Sequence, residues 1–187
     1  KIQEIVSKDG VVTHVEIPRQ NIIFGKTMKA SLWWPDYNIR LFKKDSVTWG
    51  NKIHIKPKTE GQGLTLSPLE NLAIIHHHYE TVSQVLKRMD RYTSVQAKEL
   101  KESGYEFDWK DLINKPLGEF LSRFFAGRGF EDGLHGFSLS FLQAFSHLIM
   151  YLKVWEMKDF PEKSINLEEL KSETQKSGEE IGYWLKY

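Results

Sequence analysis

The sequence predicts an α+β fold, strands first and helices after, and three patterns carry that expectation. Val11, Thr13, Val15 and Ile17 fall on one side at a period of two, as in a half-buried strand. Val82, Val85, Leu86, Met89, Tyr92 and Leu100 recur at helical spacings. The run from Gly136 to Leu152 carries no Asp, Glu, Lys or Arg and is too long for one strand.

The elements follow in order. Residues 1–8 read as the end of a helix, with Ile2, Ile5 and Val6 at helical spacing and Asp9-Gly10 stopping it. A strand over 11–17 leads to a short apolar turn over 21–25 and a loop over 26–35. Residues 37–43 are strand-like, and Asp45-Ser46 begins a turn. Segments 47–49 and 52–56 are expected to pair as a hairpin around Gly50-Asn51. The polar stretch 59–68 is expected to be mobile, and 72–79 to form a buried strand. A helix over 80–103 closes at Gly104. Asp108 is the expected N-cap of a second helix, broken or restarted at Pro116. Gly127, Gly129, Gly133 and Gly136 make the chain turn sharply before a long helix over 137–156. Ser164 opens a last helix, with Glu168 and Glu169 near its positive end. Three regions result: a β-rich 1–79, a helical 80–156 and an amphipathic helical tail over 157–187.

Composition narrows the function classes. At 187 residues the chain is long enough to bury a core. Lys and Arg number 26 against 25 Asp and Glu, a balance that argues against a dedicated nucleic-acid surface. Cys is absent, which excludes a disulfide framework and a thiolate zinc site and fits a reducing, cytoplasmic setting. Aromatic residues make up 13%, with 6 Trp, a surplus used in cores, carbohydrate stacking and membrane interfaces alike.

The segment Trp33-Trp34-Pro35-Asp36 places two aromatic faces beside one carboxylate, just before a strand. Asp36 has the chemistry of a general base for a hydroxyl nucleophile; the alternative is a turn Asp that satisfies nearby backbone N–H groups. Trp33 or Trp34 could stack on a sugar ring, or plug the edge of the core. Arg40 is even-spaced from Asp36, which suits either an ion pair between them or a contact with acceptor or phosphate. In His76-His77-His78, an extended backbone sends His76 and His78 to one side and His77 to the other, and two imidazoles alone leave a metal site incomplete. Gly127-Arg128-Gly129-Phe130 lacks the Lys-Ser/Thr pair of a phosphate loop. The charge-free run 136–152 falls short of the ~20 apolar residues that span a bilayer. It reads as a core helix or as an interfacial one, bordered by Phe120, Phe124, Phe125, Phe130 and Trp155 and by Lys115, Arg123, Arg128 and Lys153.

Three stretches together resemble family 2 glycosyltransferases of the GT-A fold, particularly bacterial ones that build surface polysaccharide. They are Glu16-Ile17-Pro18-Arg19-Gln20-Asn21 through Phe24-Gly25 to the Trp-Pro-Asp…Arg-Leu-Phe segment; Val47…Trp49…His54 with Ile75-His76-His77-His78-Tyr79; and Arg128-Gly129-Phe130-Glu131-Asp132-Gly133…Gly136-Phe137 with Tyr151-Leu152-Lys153-Val154-Trp155-Glu156. The resemblance covers 1–156 and implies a partial GT-A sheet followed by a helical C-terminal region. It implies the acceptor side of an inverting enzyme, with Asp36 as base, Trp33, Trp34 and Arg40 on the substrate, and His54 or His77 completing a metal shell. Many relatives carry Glu after the histidine where this chain has Ile55. No Asp-x-Asp occurs in the sequence. The donor half, holding a nucleotide-sugar and a divalent metal (Mg or Mn), would precede Lys1; the fragment alone would bind no metal and be inactive. A saccharide or lipid-linked acceptor is expected, with peripheral contact at the inner face of the plasma membrane. Missing central strands would leave an exposed edge, so a homodimer or a rearrangement is expected. The competing expectation is a non-enzymatic helical module for membrane association or oligomerisation.

Overall fold

The computed structural model describes residues 2–7, 11–50 and 56–186, and the fold is α+β. The chain forms two compact units: one from the segment up to Ile22 together with Leu32–His78, the other from Ile23–Ser31 together with the chain from Tyr79 onward. The 157–187 tail is part of the second unit, and nine residues from inside the β-rich half belong there too.

The first unit starts with a short helix, α1 (Ile2–Ser7), and is organised by a long strand, β1 (Val12–Ile23). The expected strand end at Ile17 is too early. β1 runs on through Pro18 to a tight turn at Phe24 and Gly25, both at positive φ, and a two-residue strand β2 (Lys26–Thr27) follows. β3 (Asp36–Phe42) pairs with β1 antiparallel, with a bulge opposite Val15/Glu16. β4 (Val47–Thr48) pairs with β5 (Lys58–Thr59); the hairpin partner expected for it, 52–56, lies outside the described residues except for Lys56. The 59–68 stretch carries regular structure. Within it β6 (Gln62–Thr65) lies parallel to β1, and Leu66 is buried with Val15 and Ile17 in the core of this unit. β7 (Ile74–Tyr79) also pairs with β1. It is not the buried strand expected, since Ile75 is 63% exposed and only Tyr79 is fully covered.

The second unit is helical. α2 (Val82–Glu102) begins at Thr81, whose hydroxyl accepts from Gln84 N at 3.2 Å. The N-cap of α3 (Asp111–Leu121) is Lys110, without a side-chain cap bond, and not the expected Asp108; Asp108 lies in the turn before it, where its Oδ1 accepts from Lys110 N at 2.9 Å and its own N donates to Asp111 Oδ2 at 3.0 Å. Pro116 does not break α3; the helix continues and then widens into one π turn over Ser122–Ala126. α4 (Leu134–Glu156) and α2 enclose Ala97, Met150, Tyr151 and Val154, joined by Phe107. α5 (Leu167–Trp184) is capped by Asn166, not by Ser164. It is fastened to the helices before it by Trp184 stacked on Phe125 and by Asn114 donating to Glu173 at 3.2 Å.

α4 is long and apolar enough to cross a membrane by length and composition, with only a third of its most apolar stretch buried. Leu134, Phe137, Phe141 and Phe145 form an exposed stripe at helical spacing. Phe120 and Phe124 extend it, the rings of Phe120 and Phe141 lying 4.5 Å apart and those of Phe124 and Phe137 5.4 Å apart.

Candidate functional site

The antiparallel register of β1 and β3 sets Arg19 directly opposite Asp36. Facing residues in such a ladder bring their Cβ atoms to about 5 Å, close enough for a charged pair. Arg19 donates to Asp36 Oδ2 from Nε at 2.9 Å and from Nη2 at 2.5 Å. Two residues further along β1, on the same face, Asn21 donates to the same oxygen at 3.0 Å. Two residues along β3, Asn38 donates to Oδ1 at 3.0 Å. Asp36 is therefore oriented from three sides while its side chain stays 24% exposed.

Arg40 is not Asp36's partner. Leu41 faces Val15 and Ile39 faces Glu16, which leaves Arg40 as the extra residue of the bulge. The alternation that would have put it beside Asp36 is interrupted there, and its guanidinium donates to Ile39 O at 3.0 Å instead.

Asn21 is fully buried and satisfied. Its amide nitrogen donates to two oxygens, Asp36 Oδ2 and Trp33 O at 2.9 Å, so its own oxygen is the acceptor for His76 Nδ1 at 2.7 Å. That assignment, made from the bonding pattern, places a proton on His76 Nδ1. His78 Nδ1 lies 3.3 Å from the same nitrogen. The Trp33 ring packs edge-on against His78, with centroids 5.3 Å apart. Trp33, Asn21, His76, His78 and Asp36 thus form one continuous polar and aromatic cluster. Trp34 is half-buried, and the Trp34–Pro35 bond is cis. Leu32, just before this segment, is exposed at φ 66; the left-handed region costs an L-residue about 1–2 kcal/mol, and such strain collects at functional loops.

The alternation expected for the histidine triplet is observed: His76 and His78 point together into the cluster, and His77 is exposed. His54 lies outside the described residues. Among the described residues no three His, Asp or Glu side chains converge as a metal site. Sequence reasoning singled out Asp36 and Trp33 but gave no role to Arg19, Asn21 or Asn38. Their signal was the two-residue spacing of Arg19 and Asn21 along one strand, legible only once the strand is known to pass Pro18.

Comparison with protein-family models, with curated proteins and with solved structures yields no match.

Proposed function

We propose that this chain supplies the acceptor side of an inverting, family 2-like glycosyltransferase, acting on a saccharide or lipid-linked acceptor. One observation supports it above the others: Asp36 is held from three sides yet partly open to solvent. Each carboxylate oxygen has two lone pairs. Oδ1 accepts one recorded bond, from Asn38, which leaves capacity for an acceptor hydroxyl. In the step proposed, Asp36 Oδ1 takes the hydroxyl proton as that oxygen attacks the anomeric carbon. The bond to the nucleoside diphosphate breaks and the configuration inverts. Arg19 and Asn21 keep the carboxylate aimed, and Trp33 walls the cluster. A divalent metal (Mg or Mn) and the donor's diphosphate contacts would stabilise the leaving group on a donor half whose Asp-x-Asp this sequence lacks.

The test uses the enzyme that carries this chain together with a donor half. Asp36→Asn is expected to lower sugar transfer by about 10²–10⁴-fold, the usual worth of a general base, with donor affinity unchanged. Retained turnover would remove Asp36 from the chemistry.

A second reading is favoured by the exposed phenylalanine stripe on α4. Contiguous apolar surface of this kind marks a membrane or protein contact. In this reading the helical unit lies on a lipid surface, which would also suit a lipid-linked acceptor.

A further inference from the structure

A second feature of the first unit lies along the same strand as Asp36. A cavity of about 270 Å³ is lined by His14, Glu16, Tyr37, Asn38, Trp49 and Lys56. We propose that it binds one saccharide ring of the acceptor, as a subsite adjoining Asp36. Calling the sugar an acceptor rests on the transfer reading above; the binding itself does not.

The lining selects the ligand class. Trp49 is 52% exposed, an indole face left in water beside the cavity. Around it stand a carboxylate, an ammonium, an imidazole, an amide and a phenol. An apolar ligand would displace water from these groups and offer them no hydrogen bond in exchange. A pyranose offers what the site lacks: a C–H face for the indole and a rim of hydroxyls that both donate and accept. The volume sits just below the usual range of about 300–1,000 Å³ for ligand pockets, which suits a single ring.

Three of the polar groups, Glu16, Tyr37 and Asn38, are also held in place. Glu16 accepts from the Thr65 hydroxyl at 2.9 Å and has Lys56 at 3.9 Å. The Tyr37 hydroxyl donates to Leu66 O at 3.1 Å, which keeps its own oxygen available as an acceptor. Asn38 connects the two features, since it lines the cavity and donates to Asp36 Oδ1 at 3.0 Å. A ring seated against Asn38 is thus one side chain away from the proposed base. Side chains fixed in this way lose little freedom on binding.

The experiment follows indole N–H resonances of the ¹⁵N-labelled protein. The probes are methyl β-glucoside, methyl β-galactoside and a methyl hexuronide at millimolar concentration. The Trp49 signal is assigned by its loss in Trp49→Phe. The proposal expects that signal to move saturably with at least one glycoside, and Trp49→Ala to weaken Kd by about tenfold, equivalent to about 1.4 kcal/mol. Glu16→Gln should also weaken binding. Absence of glycoside binding, shifts centred on Trp33 with Trp49 unmoved, or an unchanged Kd in Trp49→Ala would each overturn the subsite. Those results leave the transfer reading standing if Asp36→Asn still abolishes turnover. Saccharide binding at Trp49, with no transfer by the enzyme that also carries a donor half, would support the subsite and overturn the transferase.

Discussion

Asp132 shows how one residue can organise a distant segment. It is buried, and its carboxylate accepts the backbone N–H groups of Lys29 and Ala30 at 3.0 Å, with Lys26 Nζ at 3.6 Å. Truncation to Ala would leave those donors and the ammonium without their carboxylate. Removing one partner of a buried charged network costs about 3–5 kcal/mol, so Asp132→Ala is expected to lose that much in urea unfolding. Nothing around Asp132 in the chain advertises this role, because its partners are a hundred residues earlier. His147 carries a pH prediction. Burial pushes its imidazole below the ordinary value, opposed by the Glu119 carboxylate 3.6 Å away and helped by Arg123 and Lys115. The unfolded chain takes up this proton at higher pH than the folded one. The contribution is therefore intact above about pH 6.5 and is lost as pH falls below it. Thermal unfolding should show Tm falling on acidification through that window, and His147→Gln should flatten the fall. An equal fall in the variant would show that other groups are responsible.

At the level of elements, close approach and open space give the same substitution opposite signs. A Cβ at Gly136 would lie 1.8 Å from the Gly129 carbonyl oxygen, so Gly136→Ala must push two backbones apart. Overpacking of this kind costs about 1–3 kcal/mol or more. Gly118, inside α3, has nothing within 4 Å, and Gly118→Ala should stabilise by about 0.4–1 kcal/mol through the unfolded chain's lost freedom. Chemical denaturation of both variants checks the pair, and a stabilised Gly136→Ala would contradict the packing described. The glycine cluster over 127–136 was legible as a sharp turn, because that need is local. β1 runs past the expected end at Ile17 and through Pro18. Proline disfavours central strands, yet the β6 ladder along β1 stops at Glu16, so the missing N–H of Pro18 deprives no β6 carbonyl. Only the neighbouring strand's endpoint reveals that.

On the scale of the whole molecule, the order of strands before helices does not coincide with the two units, since Ile23–Ser31 leaves the β-rich half and joins the helices. The phenylalanine stripe of α4 also belongs at this scale, because burying it takes another surface. If that surface is lipid, the protein should float with anionic liposomes, and Phe137→Ser with Phe141→Ser should abolish flotation. Absence of flotation in the parent would end the membrane reading. The α+β class, the four long helices and the turn signals at Asp45, Gly104 and Gly133 were written in periodicity and in Gly and Asp placement, because these are governed by contacts a few residues apart. Asp36 was singled out locally, by the aromatic residues just before it. Its partner was not. The sequence offered Arg40, four residues away, but folding supplied Arg19, because the β1–β3 register and a single bulged residue decide which side chains meet. Register and bulges arise from pairing between segments far apart along the chain, and no local pattern records them.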